Sequence, residues 1–252
     1  MPFAAGLYYE ERGAGAPLIL LHGNGEDHSY FSRQIDWFSR TFRVLALDTR
    51  GHGRSPRGEG AFTISRFAGD LRAFVDELGL ERAYLLGFSD GGNIALTFAL
   101  RWPERVCALV LNGANLSPEG VRRSTQRPIE LGYRIAARFA ERSEKARSHA
   151  ELLGLMVHEP HIDPEALGRL ALPVLVIAGT RDMIREEHTR LIAQSLPRGQ
   201  LVLLPGNHFI AKRSWRPFNA AVERFFGQMT EGTHDDRKGR LGGSPGVGTP
   251  LS

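Results

Sequence analysis

Three residues of this chain have the types and the context needed for covalent acyl transfer: Ser89, Asp182 and His208. Ser89 lies in Gly87-Phe88-Ser89-Asp90-Gly91-Gly92, directly after the apolar run Ala83-Tyr84-Leu85-Leu86. G-x-S-x-G between a strand and a helix is the pattern of a sharp turn that strains the serine backbone and lifts its Oγ clear of the sheet. The glycines are needed sterically, because a Cβ at 87 or 91 would crowd the reversing chain. A free serine is a poor nucleophile at neutral pH. A histidine must take its proton, and a carboxylate must fix the imidazole tautomer and stabilise the imidazolium. Asp182 follows the apolar run Pro173–Ala178 in Gly179-Thr180-Arg181-Asp182, and His208 follows Gln200–Leu204 in Pro205-Gly206-Asn207-His208. In a parallel sheet, residues just past the strand C-termini converge on one edge, so three remote loops can meet there. Singly, each has a plainer role as a turn serine, a turn former or a packed loop histidine; behind a nucleophile turn the three together outweigh that.

Acyl transfer also needs donors for the oxygen that becomes negative. The backbone N–H groups of Asn24, after His22-Gly23, and of Asp90, after the nucleophile, are the candidates. Asp90 opens a helix, whose dipole directs its positive end at the site. The Asp90 side chain is also the candidate substrate-binding group, able to attract the ammonium of an amino-acid ester. The competing account is an acidic residue stabilised by the helix N-terminus on which it sits. His22, ahead of the glycine, reads as a structural residue that holds its loop.

The elements that must position these groups alternate between strand and helix. Pro17–Leu21, Phe42–Leu47, Val106–Leu111 and the runs before residues 89, 182 and 208 read as buried strands. Thr63 to Gly79 reads as a helix with Ile64, Phe67, Leu71, Phe74 and Val75 on one face, and a last helix spans Phe218 to Phe226. The expected fold class is α/β, with a mostly parallel central sheet, helices on both faces and a small helical cap. Residues 1–113 and 171–229 form the expected core. Residues 114–170 form the cap, with helical pieces from Ile129 to Arg142 and from Ser143 to His158. Leu131, Tyr133, Ile135, Phe139, Leu152, Leu155 and Met156 are its candidate pocket-lining residues, although most have the simpler role of holding the cap together. Asp163-Pro164-Glu165 reads as a helix start. Residues 230–252, rich in glycine, proline and charge, are expected to be a disordered tail.

Taken together, His22-Gly23-Asn24, Asp48-Thr49-Arg50-Gly51-His52-Gly53-Arg54-Ser55, the turn at Ser89, Arg101-Trp102-Pro103-Glu104-Arg105-Val106, Gly179-Thr180-Arg181-Asp182 and Gly206-Asn207-His208 resemble the α/β-hydrolase family over residues 7–227. The order Ser89, Asp182, His208 is similar to that family's catalytic order. Within it the chain resembles valacyclovirase-like and biphenyl hydrolase-like esterases, which share Ser-Asp-Gly-Gly. The resemblance implies a serine hydrolase of small carboxylic esters acting without a cofactor. It also extends to cofactor-free haloperoxidases and perhydrolases, which use the same triad. A ligand receptor on a hydrolase scaffold is the alternative from another class. Serine at 89 argues against dehalogenases and epoxide hydrolases, whose nucleophile is aspartate.

Composition is that of an ordinary soluble enzyme: 252 residues, 42% hydrophobic, net charge +4. The positive charge is almost all arginine, with lysine only at 145, 212 and 238, interleaved with acids and without a nucleic-acid motif. No nucleic-acid or membrane partner is expected, and the partner is a small-molecule ester. The oligomeric state is left open. No charged segment followed by an apolar core opens the chain, and the single Cys107 sits in an apolar run as a buried strand residue, so a cytoplasmic location is expected. His158 and His161 flank a proline and lack a third ligand, so no metal site is expected. Neither a dinucleotide fingerprint nor a P-loop is present.

Overall fold

The central strands are apolar at nearly every position because both of their faces are covered. The computed structural model describes residues 2–238. Among these residues eight strands run in chain order as β1 (Phe3–Ala4), β2 (Leu7–Arg12), β3 (Ala16–Leu21), β4 (Phe42–Leu47), β5 (Ala83–Phe88), β6 (Val106–Asn112), β7 (Val174–Arg181) and β8 (Gly199–Asn207). They form one sheet in the order β1-β2-β4-β3-β5-β6-β7-β8. From β4 through β8 the neighbours pair in parallel, while β1 and β2 add an antiparallel edge. That edge was not anticipated, since its alternation is only a few residues long.

Among the described residues eight α-helices accompany the sheet: α1 (Ser32–Phe38), α2 (Ile64–Glu77), α3 (Asp90–Arg101), α4 (Arg123–Phe139), α5 (Glu144–His158), α6 (Glu186–Ser195), α7 (Ile210–Arg213) and α8 (Trp215–Lys238). Successive side chains of a strand point to opposite faces, and the two cores follow that rule. Ile19, Leu21, Leu45, Leu47 and Leu85 pack with Phe67, Leu71 and Phe74 of α2, Ile94 and Phe98 of α3, and Ile192 of α6. Their neighbours Leu18, Leu20, Val44, Ala46 and Leu86 pack with Ile35 and Phe38 of α1 and Phe218, Val222, Phe225 and Phe226 of α8. Each fully buried Leu or Phe contributes about 2 kcal/mol from water exclusion alone. Thr63 caps α2 by accepting from the Arg66 N–H. This is the α/β-hydrolase fold expected from the sequence.

Between β6 and β7 stand α4, α5 and a 3₁₀ turn over Pro164–Arg169 that Asp163 caps. Ser143 caps α5 as placed, but α4 starts at Arg123, ahead of the expected Ile129, and continues through Pro128. An antiparallel bridge between Val121 and Ile184 pins the segment just before it, so the helix starts where the chain leaves that bridge. Leu131, Ile135 and Phe139 are 60%, 55% and 47% exposed, and Ile135 and Phe139 line an open surface groove with Ala146, His149 and Leu153 of α5. Spaced four apart, they form one stripe, and Gln126 and Tyr133 lie on another that meets α5: Gln126 Nε2 donates to the Met156 carbonyl and the Tyr133 ring packs edge-on against His158. Leu155 belongs to the core of the sheet. Cys107 is half-buried, not buried, on β6. At the other end, α8 continues to Lys238, into the segment read as a disordered tail from Thr230. Extending an existing helix adds a hydrogen bond per residue without a new nucleus, so polar residues can follow an apolar turn. Positions 239–252 of that expected tail lie outside the described residues. Among the described residues no helix is long and apolar enough to cross a membrane.

Candidate active site

The turn after β5 is as tight as its glycines require. Ser89 has φ 52° and ψ −121°, a conformation that costs a non-glycine residue roughly 1–3 kcal/mol. A Cβ on Gly87 would lie 2.3 Å from the Gly91 carbonyl oxygen, and one on Gly91 would lie 2.1 Å from that of Leu21. The second contact brings the turn into backbone contact with the end of β3. The 22–24 loop is therefore set beside Ser89. The Ser89 N–H donates to the Asn112 carbonyl at 2.8 Å, which ties the turn to β6.

His208 and Asp182 meet across the ends of β7 and β8. The His208 Nδ1–H donates to Asp182 Oδ1 at 2.7 Å, and that oxygen also accepts from the Ile184 N–H at 2.9 Å. With Nδ1 as donor, Nε2 is the basic nitrogen. It is buried and has no hydrogen-bond partner among the described residues. Both residues are nearly inaccessible, at 5% and 3% exposure. Phe88, the residue before Ser89, packs on the His208 ring with centroids 4.8 Å apart. Gly113, next to Asn112, completes the enclosure: a Cβ there would lie 2.7 Å from His208 Cε1. Ser89, Asp182 and His208 thus come from three remote loops to one rim of the sheet.

The two candidate oxyanion donors are also neighbours. Asn24 Nδ2 donates to Asp90 Oδ2 at 2.9 Å, and to the Leu152 carbonyl of α5 at 2.7 Å. The other Asp90 oxygen accepts from Asn93 Nδ2 at 3.3 Å, and Asn93 also donates to Asn115 Oδ1 at 3.0 Å. Asn93 and Asn115 have no motif around them, and the sequence reading missed them. Burial pushes the Asp90 carboxyl above the usual carboxylate range; the Asn24 hydrogen bond and the nearby His208 oppose that shift.

His22 is structural, as its position suggested. Its Nε2 accepts from the Thr49 N–H at 3.0 Å, so Nδ1 carries the hydrogen and donates to the Gly23 carbonyl at 2.7 Å. Burial, then the nearby His52, lowers its pKa from 6.5 to about 4. Glu26 was also missed. Burial raises its pKa from 4.5 to about 7, against a Gly23 backbone hydrogen bond and the charges of Lys212 and His208. Arg122, before α4, donates from Nε to the Asp182 carbonyl at 2.7 Å and so steadies that loop from the cap side.

Among the described residues, Asp27, His28 and Asp48 lie close enough to share an ion, but hydrogen bonds account for them. Asp48 Oδ1 accepts from the His28 backbone N–H and from its Nδ1–H, Asp48 Oδ2 accepts from Arg54 N–H, and Asp27 caps Ser29.

Comparison with known proteins places this geometry in context. The sequence profile described as the alpha/beta hydrolase fold matches residues 16–152. RutD of Caulobacter sp. (strain K31), named as a carbamate hydrolase, is 30% identical over 87% of this chain and 95% of its own length. The human serine hydrolase BPHL is 29% identical, covering 87% of this chain and 82% of that protein. The crystal structure of a hydrolase from Pseudomonas aeruginosa PA01 superposes with a TM-score of 0.72 at 30% identity, over 88% of this chain and 94% of that one.

Proposed function

Because the chain belongs to the alpha/beta hydrolase fold family, we propose that it is a serine hydrolase cleaving small carboxylic esters through an acyl-enzyme intermediate. The observation that carries this reading is the 2.7 Å His208–Asp182 hydrogen bond, which leaves Nε2 as the base on the rim that holds the strained Ser89. In this mechanism Ser89 Oγ attacks the ester carbonyl as His208 Nε2 takes its proton, and Asp182 stabilises the imidazolium. The Asn24 and Asp90 backbone N–H groups receive the oxyanion, each worth about 3 kcal/mol of barrier. The alcohol leaves with the proton from His208. Water, deprotonated by His208, then attacks the acyl-enzyme and releases the acid.

Amino-acid esters are the finer substrate class in this reading. A carboxylate has about four acceptor sites, and two of those on Asp90 are occupied by the Asn24 and Asn93 amides. An ammonium group beside the remaining sites would offset the burial that disfavours its charge. Carbamates present the same carbonyl to Ser89 and belong in the same test, given the likeness to RutD.

The test is a panel of p-nitrophenyl esters, amino-acid esters and carbamates, assayed with the protein and with Ser89→Ala. Turnover that drops at least about 10³-fold in the variant, with an unchanged melting temperature, is the expected outcome. Equal turnover in both proteins would remove Ser89 as nucleophile. A neutral ester cleaved as well as its amino-acid counterpart would remove the finer class.

A further inference from the structure

Beside the His208–Asp182 pair lies an open cleft of about 470 Å³, distinct from the Asn24–Asp90 side of the site. Its wall includes Arg122 and Arg181 together with Thr125 and Asn207. Several arginines are matched with acids, as in Arg50–Asp70, Arg57–Glu151 and Arg105–Asp76. The two at the cleft are not, and they stand beside the His208–Asp182 pair. Arg122 uses Nε on the Asp182 carbonyl, which leaves its two terminal nitrogens unengaged, and no carboxylate among the described residues pairs with Arg122 or Arg181. The Asn207 Oδ1 accepts from the Phe209 N–H, so its amide nitrogen is a further donor. The one acid in the wall is Asp182, whose Oδ1 is held by His208 and Ile184.

We propose that this cleft is a subsite for a carboxylate-bearing arm of the substrate whose ester is cut at Ser89, an inference that rests on the hydrolase reading above. Two guanidiniums against one carboxylate leave a single net positive charge in the wall. One negative charge balances it, whereas a dianionic group would face Asp182 with charge to spare. Guanidinium forks match the planar carboxylate in shape, and the neutral amide and hydroxyl groups add donors without adding charge. Asp182 and His208 line the cleft, so an arm lodged there would lie beside the base that serves Ser89.

The experiment compares p-nitrophenyl esters of glutaric acid with the distal carboxylate free or methylated, using the protein and Arg181→Gln. Among the described residues the Arg181 side chain makes no hydrogen bond or ion pair, and Arg122→Gln serves as the second variant. The expected result is a preference of about fivefold or more for the free carboxylate, expressed in KM, that 0.5 M salt weakens and Arg181→Gln abolishes. A ratio near one, or a ratio unchanged by both variants, overturns the proposal. A second readout does not depend on turnover: ligand-observed NMR of monomethyl glutarate with Ser89→Ala and with Ser89→Ala/Arg181→Gln. Binding that is lost with Arg181 supports the subsite even where neither ester is cleaved, in which case only the hydrolase reading fails. Absent binding, or binding equal in the two proteins, overturns the subsite even where esters are cleaved.

Discussion

The Asn24 side chain is joined to the Asp90 carboxylate by a 2.9 Å hydrogen bond, and its second amide hydrogen goes to the Leu152 carbonyl of the cap. One amide therefore connects the 22–24 loop, the residue after Ser89 and helix α5. Asn24→Ala keeps the backbone donor but leaves a buried carboxylate oxygen unpaired, which costs about 1–3 kcal/mol. Ester turnover is expected to fall roughly tenfold, and hydrogen exchange in α5 to accelerate. Asn24→Asp, which sets two carboxylates face to face, should be worse in both assays. Unchanged exchange in α5 would show that the contact does not hold the cap.

Gly113 is expected to be intolerant of even one methyl group. Its φ is +63°, and a Cβ would lie 2.7 Å from His208 Cε1 and 2.8 Å from its Nδ1. Gly113→Ala combines backbone strain with displacement of the base, and a shift of about 1 Å in a catalytic group can cost about 10²-fold in rate. The comparison is kcat against melting temperature. A variant that loses stability but keeps kcat would mean that the ring does not move.

Acid should destabilise the protein through His22. Its folded-state pKa, about 4, is below the ordinary 6.5, so the unfolded chain binds the proton first as pH falls. The stability contributed by the neutral ring is present above about pH 6.5 and is lost progressively down to about pH 4, amounting to about 3 kcal/mol. Urea unfolding at several pH values measures the slope. His22→Asn should be less stable at pH 7 and show a shallower decline toward pH 4.5; an equal slope would assign the acid sensitivity elsewhere.

Glu26 runs in the other direction. Its folded-state pKa is raised from 4.5 to about 7, so the folded protein holds this proton when the unfolded chain has released it. Its contribution to stability is full below about pH 4.5 and is lost as pH rises through about 7. Glu26→Gln, which cannot ionise, should gain in melting temperature relative to the parent at pH 8 and not at pH 5. The same difference at both values would exclude Glu26 as the titrating group.

What could be read in the sequence was whatever a short stretch of backbone must obey. The G-x-S-x-G turn was legible because Gly87 and Gly91 are required by contacts within a few residues and with the adjacent strand end. The apolar strands announced themselves because both faces of each are buried, and the loops after β7 and β8 inherited their place from those strands. Asp182 and His208 could be named because parallel strands send their C-terminal ends to one edge.

Tertiary packing alone decided the rest. The apolar spacing of Leu131, Ile135 and Phe139 marks a stripe on a helix, but which stripe meets the core depends on the rotation of α4 against α5, and they face outward. Asn93 and Asn115 lie far apart in sequence and carry no pattern, yet they bond to each other beside Asp90. Arg122 and Arg181 look like any other arginines of this chain until the fold sets them on one cleft whose single acid is Asp182. Local sequence determines conformation through sterics and periodicity, which act over a few residues. Pairing of polar groups, and the charge left unpaired around a site, depend on distances that only the closed chain establishes.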